Sequence, residues 1–180
     1  AKYSNGDKVT AQDFVFAMKR AIDPKTKAQF AYDLYDIENA QEINQGKLSV
    51  DKLGVTALDD KTLEIKLERA IPYFIQLTSL PMYFPLNEKF VKEQGNKYGL
   101  EANTTLYNGP YIVSNWDHGS GFTMKKNDQY YDKKNVKLNE IDVKVMKETS
   151  TAVNLFETGE LDQAIIDASV IDRFKGNEDL

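Results

Sequence analysis

Apolar positions along the first third of the chain change their period, and each change marks an element. Phe14, Ala17, Met18 and Ala21 recur at i, i+3, i+4 and i+7, which predicts a helix with one buried stripe. Thr10 followed by Asp13 opens it in the manner of a capping box, with the acid in the first turn facing the helix dipole. Asp23-Pro24 closes it, because the residue before proline avoids the helical region. The segment ahead, Tyr3-Ser4-Asn5-Gly6-Asp7, reads as a turn centred on Asn-Gly. Phe30, Tyr32 and Tyr35 then follow without a clean stripe. That stretch is either a second helix or an irregular segment lining something. Residues 53–67 predict a hairpin. Val55 and Ala57 form one arm, Leu63, Ile65 and Leu67 alternate with Glu64, Lys66 and Glu68 on the other, and Asp59-Asp60-Lys61 is the turn. Such alternation buries one face and wets the other.

Pro72 opens a short apolar helix with Phe74, Leu77 and Leu80. Pro81 and Pro85 break it and place Tyr83 and Phe84 in an extended piece. Asn87 caps another short helix, with Phe90 and Val91 inward and Gly95 as its stop. The polar stretch 95–108 marks a boundary, so residues 1–100 and 101–180 are expected as two parts. Beyond it, residues 111–116 and 122–126 read as a strand pair around Asp117-His118-Gly119-Ser120. Ile141, Val143 and Val145 predict a further strand. Ala152, Leu155 and Phe156 predict a helix ended by Gly159. Residues 161–166 predict a second strand, and Ser169 with Asp172 a capped helix that Gly176 stops. Strand–helix–strand–helix at this spacing implies a βαβ unit with parallel strands. Ligands of open α/β sheets bind beyond the carboxyl ends of strands, which here means Asp167, Ala168 and Ser169. The plain alternative makes Ser169 a helix cap and Asp167 a turn acid.

The composition narrows the class. The chain has 180 residues, 41% hydrophobic and 28% charged, which suits a folded core and excludes disorder. Lys+Arg 23 against Asp+Glu 28 gives a net charge of −5 without a basic stripe, which argues against nucleic acid as a partner. There is no cysteine, so disulfides, thiolate metal sites and cysteine nucleophiles are excluded. No apolar run is long enough to span a bilayer.

Catalytic motifs are wanting. There is no phosphate-binding glycine loop, no G-x-S-x-G and no H-E-x-x-H. The one histidine, His118, sits in a turn. Asn127-Asp128 with Asp132 approaches a calcium loop but has no glycine inside it, so a turn is the simpler reading. A hydrolase with two convergent carboxylates stays open as a distant alternative, although nothing singles out a pair. The informative surplus is aromatic, with 10 Tyr and 9 Phe. Tyrosine pairs an apolar body with a polar tip and suits sites that accept varied ligands.

Several ordered motifs resemble a known family. Ser4-Asn5-Gly6-Asp7, Val9-Thr10-Ala11, Asp13-Phe14-Val15-Phe16, Arg20 and Asp23-Pro24 resemble the signature of the extracellular solute-binding proteins of peptide ABC importers. Leu53-Gly54-Val55, Ala57 through Glu64, Pro72-Tyr73-Phe74, Asn108-Gly109-Pro110-Tyr111, Lys126-Asn127 with Tyr130-Tyr131-Asp132, and Gly159-Glu160-Leu161-Asp162 continue the likeness in order. Tyr3 and Tyr131 stand where the family commonly has Trp, and both keep a ring. The oligopeptide-binding lipoproteins of Gram-positive bacteria are the particular likeness.

The resemblance implies an α/β fold of the periplasmic-binding-protein-like class. This chain would be an internal fragment comprising the extra subdomain (1–100) and part of the first lobe's main sheet (101–180). It implies a non-enzymatic receptor without a cofactor, monomeric, capturing an oligopeptide between two lobes and delivering it to ABC transporter permease subunits. A receptor for a signalling peptide is the alternative within the same class. The implied location is the outer face of the cell membrane, reached through a lipid anchor upstream of Ala1, or the periplasm in a Gram-negative equivalent. The acid that receives the peptide amine, and the strands that pair with the peptide backbone, are expected outside this chain. Phe30, with Tyr32 beside it, aligns with an aromatic wall of the peptide pocket. Ile165, Ile166 and Asp167 align with a stretch facing the cleft. Tyrosines are common there in the family, so two isoleucines imply a different pocket.

Overall fold

The computed structural model describes residues 1–176. Contacts divide the chain into two compact units. One is Ala1–Ile112 with Lys126–Asn139, the other Val113–Lys125 with Glu140–Leu180. The backbone therefore passes between units three times.

The first unit is built on α1 (Ala11–Ile22). The Asp13 carboxylate accepts from the Thr10 N–H at 2.7 Å and from the Thr10 hydroxyl at 3.1 Å, closing the helix start as the sequence implies. The first free N–H of the helix, on Ala11, donates to the carbonyl of Asp60 in the hairpin turn. Asp23 ends the helix in extended backbone ahead of Pro24. The buried stripe is wider than expected. Val15 and Ile22 join Ala17, Met18 and Ala21, whereas Phe14 is only half-buried.

Around α1 the chain wraps a 3₁₀ turn (Ala31–Leu34), α2 (Ala40–Asn44) and a hairpin of β1 (Val55–Ala57) and β2 (Leu63–Ile65). Val55 pairs with Ile65 and Ala57 with Leu63 in antiparallel register. Leu34, Ile37, Ala40, Ile43, Leu53 and Val55 close over Met18 and Ile22 in one core. Each buried Leu, Ile, Val or Met side chain among these contributes on the order of 1.5–3 kcal/mol of transfer free energy, and Ala40 less. Asn44 Nδ2 donates to the Ile22 carbonyl at 2.9 Å and so satisfies an acceptor at the end of α1.

Next come α3 (Phe74–Leu77) and α4 (Glu88–Gln94), the latter capped by Asn87, whose Oδ1 accepts from the Phe90 N–H at 2.9 Å. Between them Pro81–Tyr83 is a 3₁₀ turn, not the extended piece the two prolines suggested. Pro81 occupies a first-turn position, where the missing N–H costs nothing. The Tyr83 ring is thereby buried, edge-on to Phe74 at 5.9 Å, and its hydroxyl donates to the Asp33 carbonyl.

The second unit carries most of β3 (Tyr111–Asp117) and β4 (Gly121–Lys126), with β5 (Glu140–Lys144), in the order β3-β4-β5. β4 and β5 are antiparallel, with Phe122 opposite Val143 and Met124 opposite Ile141. Val145 falls beyond the strand and is exposed. α5 (Thr149–Glu157) follows, and Val153, between the expected stripe residues, is its fully buried side chain.

The expected strand over 161–166 does not form, and with it the parallel βαβ unit is absent among the described residues. A strand exists only where a neighbour supplies hydrogen-bond partners, and none of the described strands pairs with this segment. Ser169 does not cap a helix either. A 3₁₀ turn (Ile171–Phe174) follows Val170, while the Ser169 hydroxyl and N–H both donate to Asp167. No helix of the described residues is long and apolar enough to cross a membrane.

Candidate functional site

Two groups of side chains carry the expected site, one in each unit. In the first unit, Phe30 ends a loop and Tyr32 sits in the 3₁₀ turn that follows. Their rings meet edge to face at 6.0 Å and stay 46% and 57% exposed. Ala31 and Leu34 of the same turn are buried, so a fixed backbone presents both rings to solvent. Tyr35 turns inward instead, and its hydroxyl donates to Asn44 Oδ1 at 2.7 Å. An exposed aromatic pair on an anchored turn offers an apolar wall with one polar tip.

In the second unit, Ile165 is 87% exposed and Ile166 half-buried. Asp167 Oδ2 accepts from the Thr149 hydroxyl at 2.6 Å, and Oδ1 accepts from the Ser169 N–H at 2.8 Å and from the Ser169 hydroxyl. These donors, the Ser169 hydroxyl foremost, hold the Asp167 carboxyl below the usual carboxylate range. Phe30 and Tyr32 thus come together in one unit, and Ile165, Ile166 and Asp167 in the other.

The sequence motifs are structural knots. Tyr3 N–H donates to the Asp7 carbonyl across Gly6, whose φ of 92° is open to glycine at little cost. Asp7 Oδ2 accepts from Asn5 Nδ2 at 2.7 Å and from Asn87 Nδ2 at 3.1 Å. Ser4 exchanges hydrogen bonds with Tyr107, joining the turn to the segment before Asn108-Gly109. Asn127, buried at 2% exposure, donates from Nδ2 to the Gly109 carbonyl at 2.8 Å, and its Oδ1 accepts from the Gln129 N–H at 3.0 Å. Its backbone N–H donates to the Pro110 carbonyl. Its role was not anticipated, and only its place in the Lys-Asn motif signalled it.

Other candidates hold little chemistry. Among the described residues no group of three or more His, Cys, Asp or Glu could hold a metal ion. His118 lies against the Trp116 ring at 4.5 Å. A wide, open depression of about 450 Å³ is lined by Asp13, Asn87, Glu88, Lys89 and Lys92. Burial raises the Asp13 pKa, the Thr10 hydrogen bonds lower it, and the charges of Asp7 and Glu88 raise it further. The buried Tyr3 hydroxyl has no hydrogen-bond partner among the described residues, and burial, then the charge of Asp13, pushes its pKa up.

The model of the bacterial extracellular solute-binding proteins, family 5 Middle, matches residues 1–180. The chain belongs to that family. Among its family 5 relatives, the oligopeptide-binding protein OppA of Bacillus subtilis (strain 168) is 44% identical over 164 residues, covering 91% of this chain and 30% of the relative. The crystal structure of an oligopeptide ABC transporter substrate-binding domain from Bacillus anthracis str. Ames superposes with a TM-score of 0.92 at 53% identity, over 99% of this chain and 34% of that one. Listeria monocytogenes OppA bound to peptide superposes equally well, with a TM-score of 0.92 at 41% identity, over 99% of this chain and 35% of that one. The family 5 chain described here thus spans about a third of the length of these relatives. Its fold is that of the periplasmic-binding-protein-like class, mixed helix and sheet.

Proposed function

We propose that the chain is part of the substrate-binding component of a peptide ABC importer. The observation that carries this is the match of the whole chain to the family, with a peptide-bound OppA sharing its fold. In this reading residues 1–100 correspond to the extra subdomain of the first lobe and residues 101–180 to part of that lobe's main sheet. The receptor stands on the outer face of the membrane, held by a lipid anchor, as a monomer. It captures oligopeptides between two lobes and delivers them to the permease subunits. It performs no chemistry on them and needs no cofactor.

Affinity for peptides of varied sequence calls for hydrogen bonds to the peptide backbone and hydrated pockets for side chains. Phe30 and Tyr32 suit one such pocket wall, being exposed rings on an anchored turn. Ile165 and Ile166 suit another, and Asp167 belongs to the same stretch. Closure over the peptide is a hinge-type population shift that the permease reads.

The test is to incubate the whole receptor with a random pentapeptide pool, repurify it, and identify the retained peptides by mass spectrometry. Retention of many sequences is the expected result. Retention of one sequence makes it a signalling receptor. No retention, or turnover of the pool abolished by a single carboxylate change, overturns the proposal.

A further inference from the structure

The segment after α5 is tied to that helix at three levels. At its C-terminal end the N–H groups of Glu160 and Leu161 both donate to the Leu155 carbonyl. At its first residue the Thr149 hydroxyl donates to Asp167. After the chain turns back, the Arg173 guanidinium bonds the Glu157 carboxylate and Asn154 Oδ1. Residues 161–167 are thus held at both ends, and the most exposed large apolar side chain of the described residues, Ile165, stands between the holds.

An exposed isoleucine on a loose loop is a poor contact, since binding would have to order the loop first. One hold depends on a single carboxylate. Asp167 accepts from Thr149 on one oxygen and from Ser169 on the other, which joins this stretch to the start of α5. We infer that Asp167 is a positioning residue, clasping the segment to the start of α5 so that Ile165 is presented as a fixed apolar contact for one peptide side chain. This rests on the peptide-receptor reading above. It separates Asp167 from the amine-binding role that an exposed aspartate in such a stretch would suggest.

Charge and clasp are separable by substitution. In Asp167→Asn the amide oxygen can still accept from Ser169, and the amide nitrogen can donate to the Thr149 oxygen, so the clasp survives without the charge. Asp167→Ala and Thr149→Val each break it, and Thr149 carries no charge at all. The experiment is calorimetric titration of the whole receptor with the pentapeptide it retains best from the pool. Asp167→Ala and Thr149→Val are expected to weaken binding roughly 5- to 20-fold, with Asp167→Asn within about twofold of wild type. In an Ile165→Ala background, Thr149→Val is expected to add less than about twofold, because the clasp acts through Ile165. If Asp167→Asn loses as much as Asp167→Ala while Thr149→Val is unchanged, Asp167 is a direct ligand and the inference is wrong. Unchanged affinity in all three, or an undiminished Thr149→Val effect without Ile165, also overturns it. A wild-type receptor that retains no peptide brings down the receptor reading itself, before any variant is made, and this inference with it.

Discussion

Removing one side chain, that of Asn127, should loosen the joint between the Asn108-Gly109-Pro110 segment and the turn after β4. The side chain is 2% exposed and joins two backbone groups, the Gly109 carbonyl at 2.8 Å and the Gln129 N–H at 3.0 Å. Asn127→Ala leaves the backbone bonds to Pro110 and Tyr130 in place and strips only these two. Gln129 is exposed, so its N–H finds water and the loss is near 1 kcal/mol. The Gly109 carbonyl is half-buried, and leaving it unpartnered costs about 1–2 kcal/mol. The sum, about 2–3 kcal/mol, corresponds to a fall in melting temperature of roughly 4–12 °C for a chain of this size. Urea denaturation followed by circular dichroism measures it as a lower midpoint at unchanged slope. Asp128→Ala, next door and exposed, should stay within about 0.5 kcal/mol. In Asn127→Asp a carboxylate would face the Gly109 carbonyl, and its deficit should shrink as falling pH protonates it into a donor. A midpoint for Asn127→Ala equal to wild type, or an equal loss in Asp128→Ala, would show that this joint does not stabilise the fold.

Other expectations are as specific. A Cβ on Gly121 would lie 2.1 Å from the Val143 carbonyl oxygen, so Gly121→Ala should destabilise the β4–β5 pair by about 2 kcal/mol. Hydrogen exchange on the amides of 140–144 reports this, and unaltered protection counts against it. Two carboxylates should titrate with opposite sign. The raised pKa of Asp13 gives a contribution complete below about pH 4 that is lost as pH rises through its folded value. The depressed pKa of Asp59, caused first by the Lys61 N–H and then by the Thr62 hydroxyl, gives one present above about pH 4 and lost as pH falls. The stability of wild type relative to Asp13→Asn should therefore fall between pH 3 and 7, and that relative to Asp59→Asn should rise. Slopes of the same sign would contradict the assignment. Phe30→Ala should change stability by less than about 1 kcal/mol yet weaken some peptides several-fold in the whole receptor. A large loss of melting temperature would place Phe30 in the core.

Local rules were readable where partners are close in sequence. Thr10 and Asp13 are three residues apart, Asp23 precedes its proline, and Asp59 caps its own turn, so helix and hairpin limits followed from spacing alone. Features needing a distant partner were not readable. The apolar run Ala164-Ile165-Ile166 after Leu161 describes a chain able to form a strand, but says nothing of whether a ladder is there to receive it. Asn127 has the polarity of a surface turn, and only its distance to Gly109, 18 residues earlier, makes it a buried strut. Asp167 was singled out as a candidate from its place after the expected strand, but its partner Thr149 is also 18 residues away, hiding how it is held. Tyr83 was misread because two prolines mask a 3₁₀ turn that tucks the ring inward.

The unpaired run 163–166 also bears on colloidal behaviour. Gln163, Ala164, Ile165 and Ile166 form no helix or strand, carry no proline, and have no ladder partner among the described residues. Such a run is a template for edge-to-edge association between molecules. A negative charge flanks it on each side, Asp162 before and Asp167 after, the gatekeeper arrangement that discourages stacking of like chains. Asp167 thus guards the same residues it holds in place, and losing its charge would remove half of that protection even where the fold survives.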